Sequence, residues 1–339
     1  MNPRYARLAI SLVFASMLSM SILAASIHAS PVHAATEPEK AVLVTGASTG
    51  LGRAITEDLA SRGYYVFAGA RKDSDIDALN AIENVQAIRL DVNDQAQIDA
   101  AVATVAKAGK GLYGLVNNAG VLVFGPLIEI DESELEFQMN VNVFGVYRVT
   151  KAFAPMIIES RGRITNIGSI SGTLSSAIWG PYSMTKHAIE AYTDALADEL
   201  RRFGVQVSVV EPGTYTSKIS QSAFSRMQAD ADDPDASLFG PELEDEIKWA
   251  EENLQASGDP SEVAEAVYLS LFEQNPKPRY LVVPDQAQAE ITIGRMIERT
   301  VEMNADHRYS YSRDELVAML DAALANEQPA SEEQQGPDE

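Results

Sequence analysis

The sequence AVLVTGASTGLG, residues 41–52, joins a short apolar run to a glycine-rich turn. The run at 41–44 is typical of a buried strand. Over residues 53–62 apolar side chains recur at helical spacing, and Gly63 follows as a favourable helix-ending residue. A strand, a glycine turn and a helix in this order predict a dinucleotide-binding loop. Glycines let the backbone approach a pyrophosphate, and a helix N-terminus attracts anions.

The same alternation of apolar runs and helical periodicity continues along the chain. It predicts an α/β fold, a doubly wound parallel sheet of about seven strands in a single domain over residues 40–325, closed by C-terminal helices. The further strands are predicted at 65–70, 85–90, 112–116, 162–167, 205–210 and 279–283. The later helices are predicted at 95–108, 135–158, 181–202, 262–273, 287–303 and 313–324.

The composition excludes several classes of function. The 339 residues carry a net charge of −23, which argues against nucleic acids and anionic membrane surfaces as partners, because both are polyanions. There is no cysteine, and the four histidines are scattered without zinc-binding spacing, so we expect no disulfide, thiolate or metal site. Residues 326–339 contain acidic but no basic side chains and predict a disordered acidic tail.

The first 35 residues have the layout of a targeting segment. Arg4 and Arg7 precede an uncharged run at 8–27, and Val32-His33-Ala34 is a candidate cleavage site. The run is also long enough to span a bilayer as an uncleaved membrane anchor. Both alternatives predict export or anchoring at the cell envelope, with membrane association through 8–27 in the second case. The remaining alternative is a cytoplasmic protein with a loose N-terminal arm.

Tyr182 and Lys186 are four residues apart in the predicted helix 181–202, so their side chains share a face. The ordinary pKa of a phenol, about 10, is too high for proton transfer at pH 7, but a neighbouring cation favours the phenolate. Lowering this pKa by two or three units requires only about 3–4 kcal/mol. The pair therefore predicts a proton donor and acceptor for a carbonyl or alcohol. The alternative is an ordinary surface helix.

Two positions after the second and third strands bear on the choice of cofactor. An acidic residue after the second strand binds a ribose 2′-hydroxyl, whereas an arginine there suits a 2′-phosphate. Arg71 and Lys72 occupy that place, which favours NADP(H) over NAD(H). The alternative is a solvated arginine near Asp73 and Asp75. Asp91, at the end of the third strand, is a candidate acceptor for the adenine amino group.

Four motifs follow one another along the chain: TGASTGLG at 45–52, NNAG at 117–120, GSISG at 168–172 and YSMTK at 182–186. Together they resemble the short-chain dehydrogenase/reductase family, over roughly residues 40–283. The resemblance implies a Rossmann-type sheet, a nicotinamide cofactor and reversible hydride transfer between an alcohol and a carbonyl. It also implies a homodimer or homotetramer.

The resemblance further implies roles for individual residues. Tyr182 would be the acid/base, Lys186 would lower its pKa and hold the nicotinamide ribose, and Ser169 would hydrogen-bond the substrate oxygen. Asn142 would hold a water beside the lysine, and Asn117 would stiffen the fourth strand and help position the adenosine. With Arg71, the expected cofactor-binding set is Gly46, Ser48, Thr49, Gly50, Leu51, Gly52, Asp91, Val92, Asn118, Ala119, Gly120, Tyr182, Lys186, Pro212 and Gly213.

Two positions depart from the pattern of the family. Thr49 stands where NADP-dependent members often carry a basic residue, which weakens the preference for NADP(H). Ser217 stands where a threonine often follows the Pro212-Gly213 pair.

The looser stretch at 216–257 is expected to form a lid over the substrate. Its apolar residues predict a small apolar alcohol or carbonyl substrate, unless they are only core contacts of the lid; they are Phe224, Met227, Leu238, Phe239 and Trp249. Two other functions remain open. One is a catalytically silent NADP-binding regulator or scaffold, and the other is an isomerase or dehydratase that uses the cofactor differently.

Overall fold

The computed structural model describes residues 40–215, 237–253 and 258–327. Seven strands form one sheet in the order β3-β2-β1-β4-β5-β6-β7, and every neighbouring pair is parallel. The predicted α/β fold with a parallel sheet is confirmed. The strands are β1 Val42–Val44, β2 Val66–Ala70, β3 Val85–Arg89, β4 Gly114–Asn117, β5 Arg163–Ile167, β6 Gln206–Pro212 and β7 Arg279–Val282.

Helices connect the strands and continue after the last one. They are α1 Gly50–Ser61, α2 Asp73–Asn80, α3 Gln95–Ala108, α4 Glu132–Met139, α5 Val146–Ser160, α6 Gly180–Arg201, α7 Gly240–Asn253, α8 Pro260–Phe272, α9 Gln286–Asn304 and α10 Arg313–Glu327.

The core consists of two layers, one on each face of the sheet. Successive strand residues point to opposite faces, so Val42 and Val44 pack with apolar side chains of α1 and α8. Leu43 points the other way and packs with α3 and α5. All five residues of β2 are buried, as expected for a strand covered on both faces. Each large side chain buried in this way contributes roughly 1.5–3 kcal/mol.

The predicted helix 135–158 is interrupted. It consists of α4, a π-helical turn at Asn140–Gly145 and α5. Gly145 lies against the loop after β3, where an added Cβ would come within 2.6 Å of Val92. Apolar spacing continues through the turn, so the sequence pattern alone did not indicate the wider winding.

Two helices were not predicted. Helix α2 buries only Leu79, and its first turn carries Asp73 and Asp75, so it has little apolar periodicity. Helix α7 lies within the stretch that we expected to be a loose lid. The short burial pattern of α2 and the acidic sequence of α7 explain why both were missed.

Several predicted segments lie outside the described residues. They are the N-terminal segment 1–35 with its run at 8–27, the lid residues 216–236 and 254–257, and the tail from residue 328. Over the described ranges, no helix has both the length and the apolar character needed to cross a membrane.

Candidate active site

A cleft of about 1390 Å³ lies at the carboxyl ends of the strands. Its floor includes the turn after β1 and the loop after β4, where the strand order reverses and open parallel sheets place their ligands. A pocket for one drug-sized ligand typically has about 300–1,000 Å³. The cleft is therefore large enough for an extended cofactor together with a second molecule.

The cleft brings together most of the residues to which a catalytic or cofactor-binding role was assigned. Asn117 and Asn142 are absent from its lining. The residues that do line it are Gly46, Ser48, Thr49, Gly50, Leu51, Gly52, Arg71, Asp91, Val92, Asn118, Ala119, Gly120, Ser169, Tyr182, Lys186, Pro212 and Gly213.

The glycine turn after β1 packs tightly against the loop after β4. The Asn118 side-chain amide donates hydrogen bonds to the carbonyls of Thr45 at 2.9 Å and Gly46 at 3.1 Å. A Cβ on Gly52 would lie 2.3 Å from both the Asn118 amide nitrogen and the Gly46 oxygen. Gly46 has φ +64°, a backbone conformation that favours glycine. These glycines are thus required by the protein's own packing, even before a ligand is considered.

The start of α1 fits a phosphate group. Its first residue is Gly50, the preceding Thr49 makes no side-chain capping hydrogen bond, and its first turn contains no acidic residue. The first backbone N–H groups of a helix lack intrahelical acceptors, and the helix dipole places partial positive charge there. The turn therefore offers the donors that the pyrophosphate of a dinucleotide needs.

Arg71 lies at the rim of the cleft with 62% of its side chain exposed. Its Nη1 is 3.9 Å from a carboxylate oxygen of Asp91, which is too long for a hydrogen bond. Asp73, which is close to Arg71 in the sequence, pairs with Arg89. The Arg71 guanidinium is therefore accessible at the rim, beside Lys72.

Ser169, Tyr182 and Lys186 meet on one wall of the cleft. Lys186 Nζ lies 5.5 Å from the centroid of the Tyr182 ring, consistent with their shared face on α6. This ammonium donates a 2.8 Å hydrogen bond to the carbonyl of Ile167 at the end of β5. The Ser169 side chain, in the loop that follows β5, forms a hydrogen bond with Tyr182.

The predicted lowering of the Tyr182 pKa is wrong for the protein alone. Burial raises the pKa of Tyr182 to about 12, and the hydrogen bond with Ser169 only partly opposes this effect. Burial also lowers the pKa of Lys186 to about 8, while the charge of Glu190 acts in the opposite direction. Sequence spacing indicated that the two side chains share a face, but not that desolvation would dominate the pKa values of both groups.

Asn142 stabilises the site through hydrogen bonds, although it does not line the cleft. Its oxygen accepts a 2.8 Å hydrogen bond from the backbone N–H of Val121, and its amide donates to the Val121 carbonyl at 2.9 Å. The same amide donates to the hydroxyl of Thr185 at 3.1 Å. Asn142 thereby ties the segment after β4 to the residue that precedes Lys186.

Asn117 is also placed differently from the expectation that it helps to position adenosine. Its buried amide donates 2.9 Å hydrogen bonds to Thr150 and Asn166, which links β4 to α5 and β5. It is not part of the cleft lining. These contacts provide the stiffening of the fourth strand that was expected of Asn117.

Sequence reasoning missed Glu190, which supports the loop that carries Ser169. An added Cβ on either Gly168 or Gly172 would lie 2.9 Å from the Glu190 carboxylate. One carboxylate oxygen accepts a hydrogen bond from Arg279 at 3.2 Å, and the other is buried with no partner. Burial, together with Glu211, raises the pKa of Glu190 to about 8. The sequence signal that could have indicated Glu190 is its position one helical turn after Lys186.

The substrate side of the cleft differs from the expected one. Trp249 lines it, as expected, but Leu238 and Phe239 do not, and Leu238 is exposed. Phe224, Met227 and Ser217 lie outside the described residues. The lining residues that were missed include Leu122, Phe124, Leu174, Trp179, Glu246, Gln288 and Ile291.

A sequence model of the family described as short chain dehydrogenase matches residues 40–228. Mitochondrial D-beta-hydroxybutyrate dehydrogenase of Bos taurus is 33% identical over 269 residues, which cover 73% of this chain and 78% of that protein. A short-chain dehydrogenase structure from Streptomyces avermitilis has a TM-score of 0.66 at 32% identity, covering 79% of this chain and 96% of its own. A variant of actinorhodin polyketide ketoreductase, solved with NADPH, has a TM-score of 0.62 at 28% identity, with coverages of 73% and 96%.

Proposed function

This chain belongs to the short-chain dehydrogenase/reductase family, a family of nicotinamide-dependent oxidoreductases, and we propose that it interconverts an alcohol and a carbonyl with NADP(H) as the preferred cofactor. The observation that carries the proposal is the meeting of Ser169, Tyr182 and Lys186 in one cleft with the glycine turn. Such an arrangement supports proton transfer beside a dinucleotide site.

In the proposed mechanism the protein's own side chains transfer a proton and stabilise the negative charge that develops on the substrate oxygen. A bound nicotinamide supplies or accepts the hydride. In the reducing direction, the Tyr182 hydroxyl donates its proton to the carbonyl oxygen, and the Ser169 hydroxyl hydrogen-bonds the same oxygen. Lys186, held by the Ile167 carbonyl, provides positive charge near the phenol and a donor for the nicotinamide ribose.

The protonation state of Tyr182 favours carbonyl reduction near pH 7. With a pKa of about 12, the phenol holds its proton and is ready to donate it. Alcohol oxidation needs the phenolate, which requires additional positive charge in the cleft or a higher pH. The proton donor that carbonyl reduction needs is therefore present at neutral pH.

The proposed preference for NADP(H) rests on Arg71. A guanidinium can bind a phosphate through two parallel hydrogen bonds, and Arg71 lies exposed at the rim near the end of β2. Lys72 adds positive charge at the same place. Thr49, in place of a basic residue, leaves Arg71 and Lys72 as the groups on which the preference depends.

The direct test is turnover by the full-length chain. We expect NADPH to be consumed with one or more members of a panel of ketones and aldehydes, more efficiently than NADH. NADPH binding without turnover of any carbonyl would instead support the catalytically silent regulator or scaffold. Turnover that survives Tyr182→Phe would refute the proposed acid/base.

Two further proposals concern the environment of the enzyme. We propose that residues 1–35 direct export or anchor the chain in the cell envelope, and N-terminal sequencing of protein from cell fractions tests this. An intact Met1 in the cytosol would contradict it and support the cytoplasmic alternative.

We also propose a homodimer or homotetramer, and light scattering that gives a monomer mass would refute it. Exposed apolar side chains on α9 and α10 support it, among them Ile297, Val301, Leu320 and Leu324.

A further inference from the structure

Three aromatic rings and one carboxylate stand next to Tyr182 in the cleft. We call Phe124, Trp179, Trp249 and Glu246 the aromatic wall. Trp179 is its centre: its ring meets Phe124 edge-on at 4.4 Å and Trp249 edge-on at 6.1 Å between centroids. Trp179 also lies 6.2 Å from the ring of Tyr182. A molecule that reacts at Tyr182 would therefore touch this wall with its neighbouring atoms.

The backbone holds the wall in place at a conformational cost. Ile178, which precedes Trp179, is buried and has φ +67°, a conformation that is rare for a β-branched residue. Its carbonyl accepts a 3.0 Å hydrogen bond from the N–H of Gly125, the residue after Phe124. The segments that carry Phe124 and Trp179 are thus tied to each other. Strain of this kind persists where the surrounding structure fixes a functional geometry.

Glu246 brings negative charge to the wall. It lies one turn before Trp249 on α7, and burial raises the pKa of its carboxyl while the nearby Trp179 side chain lowers it. In the part of the chain that the structure describes, no lysine or arginine forms an ion pair with it. The basic side chains in the described lining lie elsewhere: Arg71 and Lys72 at the rim after β2, and Lys186 against Ile167.

A carboxylate among aromatic rings suits one class of ligand above others. Tryptophan faces attract cations, and aromatic rings recognise ammonium groups in this way. An apolar ligand would cover the carboxylate without supplying a counter-charge, which is unfavourable. An anionic ligand would be repelled by it. Glu246 adds a full charge that a residue serving only to hold the Trp179 indole would not need.

We propose that the aromatic wall binds the ammonium group of a positively charged substrate, an amine-bearing ketone or the corresponding alcohol. This rests on the proposed function and specifies the substrate class of the same site. It also narrows the sequence-based expectation of an apolar substrate to one with apolar carbon atoms and a cationic nitrogen.

The chain has two tryptophans, Trp179 and Trp249, and both belong to the wall, so tryptophan fluorescence reports on this site alone. The full-length chain is titrated with three methyl ketones on the same three-carbon spacer. Their end groups are trimethylammonium, the isosteric tert-butyl group, and carboxylate. We expect the ammonium ketone to bind with a Kd about tenfold lower than the tert-butyl ketone, and the carboxylate ketone to bind most weakly.

Glu246→Gln isolates the charge, because the amide has nearly the same size and shape as the carboxylate and keeps an oxygen that faces the same neighbours. We expect the ratio between the ammonium and tert-butyl dissociation constants to fall from about tenfold to about threefold or less. Glu244→Gln, an exposed position on the same helix, is the matched control and should keep the wild-type ratio. Thermal melts verify that both variants are folded.

Several results would overturn the inference. They are equal affinities for the ammonium and tert-butyl ketones, tighter binding of the carboxylate ketone, an unchanged ratio in Glu246→Gln, or no fluorescence response to any of the three. None of these readouts depends on turnover. A failure of the proposed reductase activity would instead appear as absence of NADPH consumption, so the two failures are distinguishable.

Discussion

The two halves of the cleft recognise their ligands by different means. The cofactor half, built from the glycine turn and the loop after β4, offers backbone N–H groups and has no room for an added Cβ at Gly52. The substrate half is made of side chains from three separate segments, joined by ring edges and one carboxylate. Backbone recognition constrains the residue types and leaves a readable motif. Recognition by side chains leaves no such motif in the sequence, because the residues of each contributing segment can vary independently.

The largest effect is expected where the two halves meet, at Tyr182. Tyr182→Phe removes the proton donor and should lower kcat by about a thousandfold, within the range for general acid–base catalysis. NADPH affinity should stay close to that of the wild type, because the cofactor half is untouched. Steady-state kinetics and NADPH titration measure both quantities. Tyr147→Phe, at an exposed position, is the control, and a kcat within tenfold of wild type in Tyr182→Phe would contradict the proposal.

One added methyl group tests how tightly the cofactor half of the cleft is packed. Gly52→Ala would place a Cβ 2.3 Å from the Asn118 amide nitrogen and the Gly46 oxygen. We expect the free energy of unfolding to fall by about 2–3 kcal/mol and NADPH binding to weaken. Gly294→Ala is the matched control, because nothing lies within 4 Å of its added Cβ in α9. That variant should be more stable by about 0.5–1 kcal/mol. Equal melting temperatures for the two variants would contradict this prediction, because they would show that the glycine turn can move to make room for the added Cβ.

Arg71→Asp tests the one part of the cofactor half that depends on a side chain. Loss of the guanidinium should lower the ratio of kcat/KM for NADPH over NADH by about tenfold to 150-fold, in keeping with a charge-assisted hydrogen bond of about 1.5–3 kcal/mol. Lys72→Ala should change the ratio less, because a single point charge lacks the bidentate geometry. A ratio that stays constant in Arg71→Asp would remove the basis for the NADP(H) preference.

The smallest expected effect concerns the support below the catalytic loop. The folded-state pKa of Glu190 is raised from 4.5 to about 8, so the folded protein binds more protons than the unfolded chain between these values. Stability is therefore lost as the pH rises through this window. Glu190→Gln cannot ionise and should be more stable than wild type by about 1 kcal/mol at pH 8, after allowance for solvent screening.

The advantage of Glu190→Gln should disappear as the pH falls below about 4.5, where the wild-type carboxyl is protonated in both states. Thermal melts of both proteins across the pH range measure the difference. A constant difference at all pH values would show that the effect comes from packing rather than from ionisation.

Local signals made the fold predictable. The predicted helix 95–108 coincides with α3, because Asp94 caps its first turn and Gly109 ends it with φ +67°. The cofactor motif was readable for the same reason, since its glycines satisfy local backbone demands. Glu246 and Trp179 are distant in sequence and meet only in the folded chain, so no spacing could indicate them. The direction of the Tyr182 pKa shift depended on burial, which the spacing of Tyr182 and Lys186 does not encode.

The wide turn at Asn140–Gly145 makes the length of this segment as important as its composition. A π-helical turn accommodates an extra residue within a helix. Deleting one residue there would convert the turn into ordinary α-helix and shift Asn142, whose side chain bonds Val121 and Thr185. The number of residues between α4 and α5 is therefore a structural constraint in its own right, alongside the identities of Asn142 and Gly145.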